Sequence, residues 1–207
     1  MQWSSLLYSL FTTQLGLCSA FKHHVKRGSE QNATLYAYGA NSSAWPIAYG
    51  VNDGTYYLDP NSSTYPLFSH TSIDILMIGL LYIAQNPNDQ SASLTPMYWD
   101  LPSITEECWI VNGTFVNGTR AGSLYIKPED DNAVGVMPFA QATAINGTVT
   151  GFALFATQLV YNNNTELEAQ FWAQATDNDG IYGLVWVEDG GLVESGSFPV
   201  VVKGSED

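Results

Sequence analysis

GFALFATQLVYNNNTELEAQFWAQATDNDGIYGLVWVEDGGLVESGSFPVVVK, residues 151–203, is the stretch whose reading decides the fold. Phe152 to Tyr161 is apolar and aromatic, and Asn162-Asn163-Asn164-Thr165 breaks it, which reads as a strand and then a turn. Leu167, Ala169, Phe171 and Ala173 next alternate with Glu166, Glu168, Gln170, Trp172 and Gln174. A half-buried strand requires that period of two, because successive side chains point to opposite faces. After the turn Asp177-Asn178-Asp179-Gly180, Ile181 to Val187 resumes a β-branched and aromatic pattern. A hairpin loop of either two or four residues gives the same parity and sets Tyr182, Leu184 and Trp186 beside Ala173, Phe171 and Ala169. Trp186 is therefore expected in the core, whereas Trp172 shares the polar row with Glu168, Gln170 and Gln174.

Outward from this stretch the chain keeps the same style. Leu35 to Gly39, Ile47 to Gly50, Thr55 to Leu58, Met97 to Trp99, Cys108 to Val111 and Leu124 to Ile126 read as short strands. Asp59 to Ser72 and Asn86 to Pro96 read as irregular, and Asn112 to Thr119 as Asn-Gly turns. Ile73 to Ala84 is almost wholly apolar; its Ile, Leu and Tyr content and Gly79 favour strand over helix. Pro128 to Asn132 is an acidic turn, and Val134 to Ala144 continues the β style. No segment carries capped helical periodicity, so the expectation is an all-β chain with very little helix, an antiparallel sandwich or barrel.

The 207 residues are most simply divided as a signal peptide at 1–20, a basic propeptide at 21–27 and one domain at 28–207. Leu6 to Leu17 is apolar and Cys18-Ser19-Ala20 offers small residues for cleavage. The run is too short to span a membrane. Lys26-Arg27 is a dibasic pair of the sort that processing proteases cut. Of six cations only Arg120, Lys127 and Lys203 lie beyond it, against all twenty acids, so the processed chain carries −17. That charge opposes nucleic acid and anionic membranes, which need clustered cations. Cys108 is the one cysteine outside the signal and is expected as a buried thiol. Asn-x-Ser/Thr sequons at Asn32, Asn41, Asn61, Asn112, Asn117, Asn146 and Asn163 point to passage through the secretory pathway and an extracellular location.

Chemistry is thinly signalled. His70 is the sole histidine past Arg27, in a loop, and no Gly-x-Ser-x-Gly elbow accompanies it. No His-x-His or paired cysteines suggest a metal, and no cofactor motif occurs. Asp53 and Asp179 sit in Asn-Asp-Gly turns that resemble calcium loops as well as ordinary turns. Glycoside hydrolysis needs two carboxylates, and Glu168, Glu188 and Asp100 are the candidates. Carbohydrate binding needs flat rings beside amides; Trp172, Gln170, Gln174, Trp45 and Trp99 are the candidates there, with packing as the competing use of each tryptophan. An aromatic fraction of 13% also permits an apolar cavity, in which a cyclase or isomerase guides an apolar small molecule by shape.

At Leu35 to Asn41, Gly151 to Leu154, Phe171 to Ala173 and Leu184 to Trp186, the chain resembles the small secreted β-rich glycoproteins of filamentous fungi. The resemblance implies secretion and β architecture and carries over no site residues. The expectation for function is a secreted, N-glycosylated protein with a binding or surface role and carbohydrate as its ligand. A secretory-pathway enzyme, either a two-carboxylate hydrolase or a shape-guided cyclase, is the alternative.

Overall fold

The computed structural model describes residues 29–39, 44–50, 79–84, 94–127, 132–162, 166–188, 191 and 193–205. The signal and propeptide readings, the 55–58 strand, His70, Asp53 and the sequons at Asn41, Asn61 and Asn163 lie outside them.

Fourteen strands and one six-residue helix occur among the described residues. The strands are β1 (Glu30–Tyr38), β2 (Ala44–Gly50), β3 (Gly79–Ala84), β4 (Leu94–Leu101), β5 (Asn112–Phe115), β6 (Arg120–Ile126) and β7 (Val134–Met137). After helix α1 (Phe139–Ala144) come β8 (Phe152–Phe155), β9 (Gln158–Asn162), β10 (Leu167–Glu168), β11 (Phe171–Ala175), β12 (Ile181–Trp186), β13 (Phe198–Pro199) and β14 (Val201–Ser205). The expected all-β architecture is present. Its form is a closed antiparallel barrel of seven strands, β1-β2-β3-β7-β6-β5-β4 and back to β1, with further strands outside it.

Closure uses strands that divide between partners. The first half of β3 pairs with β7 (Leu80 with Gly135) and its second half with β12 (Tyr182 with Ile83). At the fork the backbones nearly touch: a Cβ on Gly135 would lie 2.5 Å from the Gly79 carbonyl oxygen. Gly135 therefore serves close approach rather than an unusual φ. From β12 the sheet runs on to β11 and β13, and from β1 to β14, β9, β8 and β10. In β1 one extra residue falls between Glu30, paired with Leu101, and Ala33, paired with Trp99. Asn32 takes φ of 54° there, a left-handed conformation that asparagine tolerates at a bulge.

Inward residues of barrel and outer strands form one core. Leu35, Ile47, Ile83, Trp99, Leu124 and Val136 join Phe152, Leu159, Phe171, Leu184, Trp186 and Val202 in a single buried cluster. Burial raises the pKa of the Tyr49 phenol within it. A second, smaller cluster lies where α1 covers Tyr125 and Met137 on the other face of β6 and β7.

Four local expectations are corrected. Residues 139–144 form helix, not strand, because Pro138 at the N-cap ends β7 and the alanines that follow favour a turn of helix over a ladder. Strand β4 begins at Leu94, inside the expected loop. Cys108 to Val111 is not a strand; the ladder starts at Asn112, in the stretch read as turns, where Asn112 to Phe115 pairs with β4. Finally, Cys108 is half-buried and disulfide-bonded rather than a buried thiol. Cys18, the one other cysteine of the sequence, lies outside the described residues, and a chain whose leader is removed has no intrachain partner for Cys108.

A polar cleft on the outer face of strands 11 and 12

Strand β11 holds its register to β12 through five pairs, with Ala175 opposite Tyr182, Ala173 opposite Leu184 and Phe171 opposite Trp186. Parity agrees with the sequence reading, while the register is two residues further along. The turn is centred on Asn178-Asp179, one position later than expected, and Thr176 bonds across it: its hydroxyl donates to the Ile181 carbonyl at 2.8 Å and accepts from the Asn178 N–H at 3.2 Å. Phe171, Ala173, Leu184 and Trp186 face the core, so Trp172, Gln174, Val185 and Val187 face outward.

The expected continuous row from Glu168 to Gln174 is broken. Glu168 pairs with Tyr161 on β9, which packs against the core, and Leu167 is 44% exposed. Across Ala169 and Gln170 the chain passes from β9 to β12, where the Gln170 carbonyl accepts from the Val187 N–H at 2.9 Å. The inside-outside alternation inverts at that passage, and the Gln170 Oε1 is buried with no partner among the described residues. Glu168 and Gln170 thus leave the row, and Trp172 and Gln174 remain.

Those two sit beside a cleft of about 460 Å³. Its polar lining comprises Asn132, Gln174, Glu188, Glu194 and Ser197, and its apolar lining includes Val185, Val187 and Val193. Each polar residue is placed by backbone bonding. The Asn132 carbonyl accepts from the Trp186 N–H at 2.9 Å, pinning Asn132 to the edge of β12 in a left-handed conformation, φ 54°. Glu188 leads a turn in which the Gly191 N–H reaches its carbonyl at 2.8 Å. Glu194 leads the next, closed by the Ser197 N–H at 3.1 Å with Gly196 at φ 90°. Ser197 precedes Phe198, the partner of Ala173, and so comes opposite Gln174. Trp172 is half-buried beside the cleft; Val185, its partner across the ladder, is part of the lining.

None of the five polar side chains makes a hydrogen bond or ion pair with another described residue, and the Ser197 Oγ is buried without a partner. By contrast, the Asn112 Oδ1 on the barrel accepts from both Arg120 Nη2 at 3.1 Å and Ser123 Oγ at 3.0 Å.

The other candidates fall elsewhere. Trp99 is 0% exposed within the core, out of reach of a surface ligand. Trp45 lies in β2 and stacks on Tyr182 with centroids 5.7 Å apart, while Phe198 meets both rings edge-on. These three half-buried rings close one end of the core, so Trp45 packs. Asp100 is exposed on β4, paired with Asn112 and away from the cleft lining. Of the candidate carboxylates only Glu188 reaches the cleft. Asn132, Glu194 and Ser197 escape the sequence reading because they come from separate turns, Asn132 from the one before β7 and Glu194 and Ser197 from the stretch after β12, and meet only in the fold. Among the described residues no group of three or more His, Cys, Asp or Glu is placed to hold a metal ion.

The geometry defines an antiparallel barrel with an open, uncoordinated polar cleft on an outlying sheet. No family model, curated protein or solved structure matches the chain.

Proposed function

We propose that the protein is a secreted, N-glycosylated binding protein that takes carbohydrate in the cleft of β11 and β12. The observation that carries this reading is the convergence of Asn132, Gln174, Glu188 and Glu194 around an apolar floor, none of them bonded through its side chain to another described residue. Hydroxyl-rich ligands are recognised by such convergent amides, carboxylates and hydroxyls, and the volume falls in the usual range for small-ligand sites. None of the residues that line the cleft is a sequon asparagine.

The test is retention on a panel of insoluble polysaccharides and glycan arrays. Gln174→Ala is expected to weaken binding several-fold, up to about ten-fold for one hydrogen bond lost. Trp172→Ala is expected to weaken it through loss of the flanking ring. Wild-type retention by the Trp172 variant removes that ring from the site, and the same result for Gln174→Ala removes the cleft.

Glycan attachment has its own expected pattern. Asn32, Asn117 and Asn146 are exposed, and Asn117 holds an open turn in which the Thr119 N–H donates to its Oδ1 at 2.9 Å. Asn112 is half-buried in the ladder and held by Arg120 and Ser123. Peptide mapping after enzymatic deglycosylation in heavy-oxygen water should find label at the first three and none at Asn112; label at Asn112 would mean that its ladder forms after modification. Intact mass of the same sample reports whether Cys18 remains on the chain.

A two-carboxylate hydrolase is the second reading, because Glu188 and Glu194 line one cleft as that chemistry requires. Polysaccharide turnover abolished in Glu188→Gln would establish it. A shape-guided cyclase has no comparable support, since Leu35, Ile83, Trp99, Leu124 and Val134 are each 0% exposed and no water-sized space opens onto them.

A further inference from the structure

We propose that the outer wall of β2 and β3 is a docking surface for residues 51–78 of the same chain, which seat the apolar run Ile73 to Ile78 on it. The inference is independent of the carbohydrate reading.

Ile47, Tyr49, Leu81 and Ile83 belong to the main core, so the residues that alternate with them, Ala48, Leu80, Tyr82 and Ala84, point out of the barrel. Side chains on a convex outer face ordinarily meet water. Here Ala48 is 0%, Ala84 2% and Tyr82 7% exposed, and none of the three belongs to either buried cluster of described residues. The Tyr82 ring leans across Gly50, where a Cβ would stand 2.3 Å from its Cε2, and so does not roof Ala84 on its other side. Among the described elements, those packed closest on β2 and β3 are their own ladder neighbours. None of these outward positions is charged, nor is Pro96, which pairs with Ala48 from β4, in a chain of twenty acids. The wall is thus apolar and already closed to water within a single chain, which makes its cover a part of that chain.

Residues 51–78 fit by anchorage and by sequence. They join the last residue of β2 to the first of β3, and Gly50 pairs with Leu80, so the stretch leaves and returns beside the wall. Ile73, Ile75, Leu76, Met77 and Ile78 supply apolar side chains, with Asp74 the one charge of that run. Burying them offsets a loop-closure cost that grows only slowly with length. The competing connection, 85–93 between β3 and β4, is polar apart from Pro87 and Ala92. The residues before Ser29 enter at Glu30, which pairs with Leu101, whereas the wall meets β4 at its other end, where Leu94 pairs with Gly50.

The test places the photo-crosslinking residue p-benzoylphenylalanine at Pro96 of the full chain, a half-buried wall position remote in sequence from 73–78. After irradiation and peptide mapping, the adduct should fall within 73–78. An adduct with 85–93, with residues before Ser29 or with a second copy of the chain overturns the assignment, as does the lack of any adduct. A second variant replaces 51–78 by a glycine–serine linker of equal length and is treated with a tyrosine-nitrating reagent. Wild type should react at half-buried Tyr36 and be spared at Tyr82, while the folded variant should react at both alike. Protection of Tyr82 that survives the replacement would show the wall closed without the segment and overturn the proposal. If that variant does not fold, the cross-link alone decides.

Discussion

Trp99→Ala is expected to lower the unfolding free energy by about 3–5 kcal/mol, the range for deleting a large buried aromatic side chain. Trp99 is 0% exposed at a point where three strands meet. It pairs with Ala33 on β1 and Gly113 on β5, and a Cβ on Gly113 would lie 3.3 Å from its Cζ3. With two small neighbours the indole fills space that nothing else can, so the cavity stays open after truncation. At roughly 2–4 °C per kcal/mol for a domain of this size, the midpoint of thermal unfolding should fall by about 6–20 °C. Trp99→Phe should cost much less. The indole Nε1 is buried without a partner among the described residues, and an unmet donor carries a penalty of about 1–3 kcal/mol that phenylalanine removes. Equal losses for the two variants would show that the indole N–H has a partner after all.

Gly122→Ala should be as damaging for a different reason. Gly122 has φ of 136°, and a Cβ there would stand 2.2 Å from the Met137 carbonyl carbon and oxygen and 2.6 Å from the Pro138 nitrogen. Those are backbone atoms, which no rotamer change can move. The position also follows the irregularity in the β5 to β6 ladder, where Gly113 pairs with Gly122 but Thr114 with Arg120. Backbone strain and overpacking, about 1–3 kcal/mol each, combine to roughly 2–6 kcal/mol. Gly183→Ala is the contrast. Nothing lies within 4 Å of the Cβ it would add, so that variant should be neutral or stabilised by a few tenths of a kcal/mol, because alanine has less chain freedom to lose. Melting curves of the two variants, side by side with wild type, check both; similar curves would contradict the close approach of β6 to the end of β7 at Met137 and Pro138.

Much of the architecture was legible because strand alternation survives in the sequence. Trp186 was assigned to the core and Trp172 to the outer face by parity, and both lie there. Parity, however, depends on an unbroken strand. Ala169 and Gln170 look like ordinary members of an alternating run, yet the chain changes neighbours there, and no local residue preference announces a change of partner. Glu168 was misplaced for that reason. Trp99 was misjudged because an aromatic next to an aspartate reads the same whether the ring faces in or out; the strand β4 that decides the matter begins in what looked like a loop. Helix α1 was hidden by its length, since six residues give too few turns for a period to emerge. The cleft was half visible, through Gln174 and Glu188. Its other polar members come from turns whose spacing in the chain says nothing of where they converge.

The pairing of β1 with β14 sets a lower bound on when the molecule can be finished. Thr34 lies opposite Ser205, so a strand near the start of the sequence is edged by one from its far end. Until β14 emerges from the ribosome, β1 has one open side of apolar alternation, and at ordinary elongation rates of about 5–20 residues per second that wait lasts on the order of 10–30 seconds. Contacts so remote along the chain also make for slow folding. The bulged Asn32, within a sequon on that same strand, stands where a cotranslationally added sugar would shield the waiting edge from neighbouring chains.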